Sequence, residues 1–302
     1  MSQLPEYVSP MLATLGRDAF DSDDHLFEVK WDGTRAISFL EGDGYRIFNR
    51  NKRDMFPRYP ELEVLNSLER GTVLDGEIVV LRDGKPDFSA VMSRDHASDP
   101  RRIQAMIATH PITYVVFDIL YKDYESTMGL PLSERKELLS EVLDTVESPH
   151  LAKSEGLRTS GSAFFDEIER MELEGMVAKD LGSTYQPGKR TDSWIKIKTT
   201  REVQCLILGF VPDGTRDVKS LIIAVEEEGD LRCVGKVGSG LGQFMRRRLR
   251  TMLDECSREA PLIETKEVGV WVEPEFFCTV RYLEMTREGG LRAPVFVGMV
   301  EA

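Results

Sequence analysis

Apolar and charged side chains alternate near the start of the chain. Phe27 and Val29 are separated by the charged residues Glu28 and Lys30, and this is the period of a half-buried strand. The next dipeptide, Asp32-Gly33, is typical of a hairpin turn, and a second apolar run follows it. The pattern therefore predicts a hairpin that holds Lys30 beside its turn.

The rest of the first 200 residues mixes strand and helix patterns. Two strongly apolar runs predict buried strands, and leucines three or four residues apart predict helices. We predict an irregular lead-in over 1–25, strands over 45–50, 72–81, 112–121, 172–179 and 193–198, and helices over 57–70, 88–108, 131–147 and 162–172.

The pattern changes near residue 200, where short strands begin to dominate. The predicted strands are 205–210, 220–225, 231–237, 268–272, 276–283 and 294–299, with one basic helix over 241–253. Short strands at this density predict a small barrel of the oligonucleotide-binding (OB) type. The expected fold class is α+β, with an antiparallel-sheet domain over 1–200 and an OB-fold barrel over 201–302.

Three groups of charged residues are candidates for chemistry. Lys30 is flanked by carboxylates, and a lysine so placed is either a nucleophile or an ordinary surface charge. Asp75 and Glu77 interrupt an apolar strand, so they either face a ligand or partner, or mark a bulge or a sheet edge. Lys196 and Lys198 lie on one face of a strand, which indicates either an anion between them or an exposed face.

Composition limits the class of protein. The 302 residues are 41% hydrophobic and 30% charged, with a net charge of −13, which argues against wholesale nucleic-acid binding by a basic surface. Neither a membrane-spanning run nor a signal peptide is expected. The four cysteines form no CxxC pair and suggest buried residues in a reducing cytoplasm.

Several short motifs together resemble a known family. Their order and spacing are similar to those of covalent nucleotidyltransferases, and in particular of bacterial ATP-dependent DNA ligases, including the ligase module of end-joining ligases. The motifs that carry this resemblance are Lys30-Trp-Asp-Gly-Thr-Arg35, Leu74-Asp-Gly-Glu77, Tyr114-Val-Val-Phe-Asp118, Pro131-Leu-Ser-Glu-Arg-Lys136, Glu174-Gly-Met-Val177, Tyr185-Gln-Pro-Gly-Lys-Arg190, Trp194-Ile-Lys-Ile-Lys198, Val234-Gly-Lys-Val-Gly238 and Leu291-Arg-Ala-Pro-Val-Phe-Val-Gly298.

The resemblance implies a reaction in three phosphoryl transfers. Lys30 would take AMP from ATP, AMP would pass to the 5′-phosphate of a DNA nick, and the 3′-hydroxyl would then expel it. The resemblance also implies roles for further residues: Lys196 and Lys198 at the α-phosphate with help from Arg190, Arg35 and Arg50 at ribose and phosphate, Glu28 at the adenine edge, Phe117 stacked on adenine, Glu77 at the ribose or a metal, and Glu174 and Asp32 at Mg²⁺ or Mn²⁺.

The DNA contacts expected from this resemblance are local basic groups. Lys52, Arg53, Arg246, Arg247 and Arg250 are the candidates, although the helix that carries the last three equally fits an exposed helix flank. The expected partner is nicked double-stranded DNA, bound by a monomer in the cytoplasm that associates with the nucleoid when on DNA.

One stretch departs from the family pattern. The basic motif that orients pyrophosphate in such enzymes corresponds here to 285–294, where Arg287 and Arg292 are the two candidates. Three alternative readings share part of the pattern: an RNA ligase, a capping guanylyltransferase that uses GTP, and a non-catalytic nucleic-acid adapter built on the barrel.

Overall fold

The computed structural model describes residues 3–227, 229–286 and 288–300. The chain divides into two compact units between Thr199 and Thr200. Among the described residues, no helix is both long enough and apolar enough to cross a membrane.

The first unit consists of two sheets with helices packed on them. Its strands are β1 (Leu12–Leu15), β2 (Ser22–Val29), β3 (Thr34–Glu41), β4 (Gly44–Asn49), β5 (Thr72–Arg82), β6 (Lys85–Pro86), β7 (Ile112–Lys122), β8 (Glu125–Ser126), β9 (Leu151–Lys153), β10 (Gly156–Thr159), β11 (Gly175–Asp180) and β12 (Arg190–Lys198). Its α-helices are α1 (Phe88–Asp95), α2 (Pro100–Thr109), α3 (Leu132–Leu143) and α4 (Gly161–Arg170).

The two sheets differ in how they use the chain. The five-stranded sheet has the order β1-β12-β11-β2-β10, so it joins strands from both ends of the unit. The seven-stranded sheet has the order β4-β3-β5-β7-β8, with β6 on β5 and β9 on β7, and its strands lie within residues 34–153. Pairing is antiparallel except for β1 with β12 and β7 with β9.

Two apolar cores stabilise this arrangement. The larger one packs the seven-stranded sheet against α1, α3 and the 3₁₀-helix Pro60–Ser67, which follows a shorter 3₁₀-helix, Phe56–Arg58. The second core contains Met11, Phe39, Phe117 and Trp194, and therefore joins side chains of both sheets. This second core forms the floor of the cavity described below.

The prediction of a hairpin around Lys30 is wrong. β2 pairs with β10 and β11, whereas β3 pairs with β4 and β5, so the segment between them crosses from one sheet to the other. Gly33 is needed here for close approach, because a Cβ atom at this position would lie 2.2 Å from the carbonyl oxygen of Ile78. A turn signal in the sequence thus marked a crossing between sheets.

Other predicted boundaries are also corrected. The lead-in is not wholly irregular, because β1 lies within it and β2 begins at Ser22. The helix predicted over 88–108 is two helices, since Pro100 opens α2 and Asp99 caps it. The segment 57–70 forms 3₁₀-helices that begin at or beside prolines. Arg190 lies in β12, which starts three residues earlier than predicted.

The second unit is a small barrel. Its strands are β13 (Arg201–Asp213), β14 (Asp217–Glu227), β15 (Asp230–Val237), β16 (Ser257–Arg258), β17 (Val270–Val272), β18 (Phe277–Tyr282) and β19 (Val295–Met299), and its helix is α5 (Gln243–Asp254). Strands β15, β14, β13, β18 and β19 are paired in that order, and a parallel bridge from Ser239 to Val295 joins the two ends. Leu249 and Leu253 of α5 complete the barrel core.

Candidate active site

A cavity of about 260 Å³ lies where the two sheets of the first unit face each other. Strands β2, β11 and β12 line it from the five-stranded sheet, and β3, β5 and β7 line it from the other. It brings together eight residues that the sequence predicted: Glu28, Lys30, Arg35, Arg50, Glu77, Phe117, Arg190 and Lys196.

Lys30 is placed by the backbone of β11. Its N–H donates to the carbonyl oxygen of Gly175 at 2.9 Å, which brings its side chain beside Glu174. Gly175 has φ +145°, and a Cβ atom there would lie 2.1 Å from the carbonyl oxygen of Ile197. Only glycine therefore permits β11 and β12 to approach closely enough to set this geometry.

Glu174 connects two of the predicted lysines. Its carboxylate forms ion pairs with Lys30 and with Lys198, the latter at 2.7 Å. Burial raises the pKa of Glu174, but the two ammonium groups outweigh this effect and hold its pKa below the ordinary value. Glu174 is therefore ionised, and its carboxylate is paired with the ammonium groups of both lysines.

Lys196 adds to a positive field at the cavity. Burial and the neighbouring cations Arg190, Lys198 and Lys30 lower the pKa of Lys196. Like charges gathered in this way attract an anion. The structure brings the predicted cations Lys30, Arg190, Lys196 and Lys198 together.

Glu28 is buried between two ammonium groups. Lys136 of α3 donates to Oε1 at 2.6 Å, and Lys179 of β11 donates to Oε2 at 2.8 Å. Burial raises the pKa of Glu28, but the two lysines overcome this and lower its pKa. Glu28 is therefore an ionised acceptor in the lining of the cavity.

Arg35 is held by a second buried carboxylate. Its Nε and Nη2 donate to Asp75 at 2.5 and 2.6 Å, and the Tyr185 hydroxyl donates to the same carboxylate at 2.7 Å. Because Arg35 lines the cavity, this bidentate pair orients a guanidinium at its wall. Asp75 thus faces a partner, as one of the two interpretations of its strand predicted. The predicted irregularity is also present, since the register of β5 against β7 shifts between Asp75 and Gly76, but β5 pairs on both sides and is not a sheet edge.

Phe117 is 7% exposed and contacts two cations. The Arg35 guanidinium carbon lies 4.4 Å from the ring centroid, and Lys179 Nζ lies 4.3 Å from it. Trp194 packs edge-on against the same ring with centroids 6.1 Å apart. The ring therefore belongs to the core and also borders the cavity.

Glu77 lies at the cavity wall in a desolvated position. Burial raises its pKa to about 8, although Arg35 and Lys30 act in the opposite direction. Asp32 is close enough to raise it further. Among the described residues, no three histidine, cysteine, aspartate or glutamate side chains are arranged as a ready metal cluster.

The predicted DNA-contacting residues of the first unit lie next to Arg50. Lys52 Nζ lies 5.2 Å from the centroid of the Tyr7 ring, and Arg53 Nη1 lies 3.9 Å from Asp95 Oδ2. The Tyr7 hydroxyl donates to the Arg50 carbonyl oxygen at 3.2 Å. This loop is consequently tied to the segment that precedes β1.

The predicted arginines of α5 differ from one another. Arg246 donates to the backbone carbonyl oxygens of Val218, Lys219, Gly238 and Leu241, so its guanidinium is committed to holding the helix on the barrel. Arg250 pairs with Asp254 at 2.7 Å.

The remaining arginine candidates are also distinguished by the structure. Arg247 is 62% exposed and lies 3.4 Å from Asp217. Of the two pyrophosphate candidates, Arg292 pairs with Glu284. Arg287 lies outside the described residues.

Comparison with known proteins identifies the family. The family model described as "ATP dependent DNA ligase domain" matches residues 10–198, and "ATP dependent DNA ligase C terminal region" matches 214–301. The chain is 31% identical to the SPbeta prophage-derived DNA ligase-like protein LigB of Bacillus subtilis, over 96% of this chain and 98% of that protein. The chain belongs to the ATP-dependent DNA ligase family.

Two further relatives place this ligase within the family. It is 33% identical to the multifunctional end-joining protein LigD of Pseudomonas aeruginosa over 99% of its own length but only 36% of that protein's. The crystal structure of the ligase domain of M. tuberculosis LigD matches with a TM-score of 0.59 and 30% identity, covering 97% of this chain and 95% of that one. The predicted fold class and the predicted ATP-dependent DNA ligase activity are confirmed.

Sequence reasoning assigned no role to several residues that shape the ligase cavity. Lys136 and Tyr185 are terminal residues of two motifs, and Lys179 is the last residue of a predicted strand. Nothing in their spacing indicated which carboxylate each would contact. The sequence carried such a signal at Asp75, a carboxylate in an apolar strand, because buried carboxylates require partners. It carried none at Glu28, which is one of the charged residues of an alternating strand.

Proposed function

We propose that this ligase seals 5′-phosphate/3′-hydroxyl nicks in duplex DNA through a Lys30–AMP intermediate. The observation that carries the proposal is the position of Lys30, at a cavity that is also lined by Lys196, Arg190 and the buried acceptor Glu28. An ATP molecule with its adenine at Glu28 and its α-phosphate at the lysines suits this distribution of charge.

In the first step the Lys30 amine attacks the α-phosphorus. The Lys30 ammonium first loses a proton to its neighbour Glu174 and from there to water. The Nζ–P bond then forms as the bond to the bridging oxygen breaks and pyrophosphate leaves, and the second proton of the nitrogen is released to water. Lys196 and Lys198 stabilise the charge on the phosphoryl oxygens, and Arg190 assists them. Arg35, oriented by Asp75, and Arg50 bind the ribose and phosphate groups, while Phe117 borders the base.

The site offers a divalent cation some carboxylate ligands but not a complete set. Magnesium is usually held by one or two protein carboxylates together with substrate phosphates, and Glu174, Glu77 and Asp32 provide such donors without forming a ready three-ligand cluster. Because Glu174 pairs with Lys30 and Lys198, a cation at Glu174 competes with them. When bound, Mg²⁺ or Mn²⁺ would neutralise charge on the transferring phosphate.

The partner that we propose is nicked duplex DNA, bound by a monomer. Lys52 and Arg53 beside the cavity, and the exposed Arg247 of α5, are the candidate phosphate contacts. Light scattering of the ligase alone and on nicked duplex tests the monomer. A steep loss of nick binding with added salt tests the phosphate contacts.

The decisive test is the intact mass of the ligase after incubation with ATP and magnesium. Pyrophosphate is applied first to remove any AMP already attached. The expected result is a gain of one AMP with ATP, none with GTP, and none in Lys30→Ala, while the matched surface variant Lys85→Ala gains AMP normally. Nicked DNA should then remove the AMP and become sealed. A ligase that gains no mass with ATP would overturn the proposal.

A further inference from the structure

The two lysines that hold Glu28 are not equivalent. Lys179 lines the cavity, whereas Lys136 is not among the described residues that line it. Lys136 reaches Glu28 from α3 and also donates to the carbonyl oxygens of Ser154 at 2.9 Å and Phe117 at 3.4 Å. Its three donors are thereby directed to three fixed acceptors.

Lys179 has a different environment. Its ammonium donates to Glu28 and lies 4.3 Å from the Phe117 centroid and 4.5 Å from that of Trp194. Burial lowers the pKa of Lys179, although Glu28 acts against this. A cation held by one carboxylate oxygen and two ring faces is easier to replace than one held by three oxygen acceptors.

The Lys179 ammonium lies between Glu28 and the Phe117 ring. It touches both groups that the proposed function assigns to adenine, the carboxylate edge of Glu28 and the ring of Phe117. A 6-amino group on a purine could take over the hydrogen bond to Oε2, because it is a donor as the ammonium is.

We propose that Lys136 is the positioning residue for base selection. It keeps Glu28 ionised, so that this carboxylate only accepts hydrogen bonds. Oε2, which Lys179 holds in this structure, is then the oxygen that accepts from the 6-amino group of the nucleotide. A carboxylate accepts hydrogen bonds only, whereas a carboxylic acid also donates. With Lys136 in place, a 6-keto purine meets an acceptor opposite its own acceptor and is rejected.

This inference rests on the proposed function and deepens it. The experiment compares ATP with ITP, which carries a keto group at the 6-position. The ratio of their kcat/KM values for forming the lysine–nucleotide adduct is measured by intact mass in single turnovers. Lys136→Met is expected to lower the ATP-to-ITP ratio about tenfold or more. Once the base has displaced Lys179 from Oε2, Lys136 is the ammonium group that still holds Glu28, and without it the carboxyl group can take up a proton and donate to the keto oxygen.

Three variants serve as controls. Lys136→Arg should restore the ratio, since a guanidinium also keeps the carboxylate charged. Lys179→Met should change the KM for ATP but keep the ratio. Lys153→Met removes another lysine that joins β9 to α3, through Ser140 at 3.0 Å, and should leave both rates and ratio unchanged. If Lys136→Met does not fold, Lys136→Gln replaces it, because the amide preserves hydrogen bonding without the charge.

Two results would overturn the inference. One is an equal loss of rate with ATP and ITP in the Lys136 variants, which would give Lys136 a purely structural role. The other is loss of the ratio in Lys179→Met with none in Lys136→Met, which would reverse the two roles. Failure of the wild-type ligase to gain AMP would instead be a failure of the proposed function, so the two cases are distinguishable.

Discussion

The first unit contains two bidentate aspartate–arginine pairs with the same chemistry and opposite surroundings. Asp118 and Arg135 are fully buried, and the remaining Nη1 of Arg135 donates to the carbonyl oxygens of Leu130 and Ser183. In the other pair Asp75 is fully buried, but the Arg35 side chain is 21% exposed and lines the cavity. The sealed pair holds elements together, while the open pair presents a guanidinium to the cavity.

The largest expected effect comes from breaking the sealed pair. Arg135→Met leaves the Asp118 carboxylate buried without its guanidinium, and removing one partner of a buried ion pair costs about 3–5 kcal/mol. We expect the free energy of unfolding in urea to fall by this amount. A fall below about 1 kcal/mol would mean that water reaches Asp118 easily and that this pair is no more sealed than the other.

A third buried carboxylate, Glu28, extends the comparison to pH. Glu28→Gln should cost about 3 kcal/mol at pH 7, because it leaves the ammonium groups of Lys136 and Lys179 without their counter-charge. The lowered pKa of Glu28 in the folded state adds stability above the ordinary value of 4.5, and this is lost as the pH falls through the folded pKa. The difference in free energy of unfolding between wild type and Glu28→Gln should therefore become smaller below pH 4.5. A difference that stays constant in urea unfolding across that range would contradict this prediction.

Breaking the open pair should affect chemistry more than folding. Arg35→Met is expected to slow adenylylation about a hundredfold, which equals about 2.7 kcal/mol in activation free energy. The loss of one positioned hydrogen-bond donor has an effect of this size in other active sites. Its loss of stability should be smaller than that of Arg135→Met, because the open cavity admits water to Asp75. Rapid-quench adenylylation and urea unfolding on both variants give the comparison, and equal activity in the two would remove the distinction.

The smallest effect is expected at the third member of the open pair. Tyr185→Phe removes a hydroxyl that donates to Asp75 and accepts from the N–H of Met11 at 2.9 Å. The expected loss is about 1 kcal/mol in the free energy of unfolding, with a modest fall in the adenylylation rate. A rate as low as that of Arg35→Met would show that Tyr185, not Asp75, orients the guanidinium.

The sequence predicted much of this cavity because its motifs are local. Lys30, Glu77 and Lys196 each lie in a strand or at a strand end whose pattern was readable, and the resemblance gave each a role. The sequence did not predict that β2 and β3 join different sheets, since Asp32-Gly33 has the same local signal in a hairpin and in a crossing. A partner such as Lys136 is 108 residues away from Glu28 along the chain, and no periodicity encodes that distance.

Surface roles were the least predictable. Arg246 and Arg247 are adjacent in one basic run, yet one is bound to four carbonyl oxygens and the other is mostly exposed. Neighbouring residues of a helix point about 100° apart around its axis. Which of the two arginines contacts the barrel therefore depends on the side of the helix that faces it. Composition alone treats both as cations available to DNA.

The order of strands in the two sheets has a consequence for synthesis on the ribosome. The seven-stranded sheet uses one uninterrupted stretch, residues 34–153, and can form while the remainder of the chain is still being made. The five-stranded sheet needs β1 at one end and β12 at the other, so it is completed only after residue 198 has emerged. The pocket around Lys30 is therefore unfinished until β12 has docked, and under the proposed mechanism the nascent chain would take up AMP only after that step.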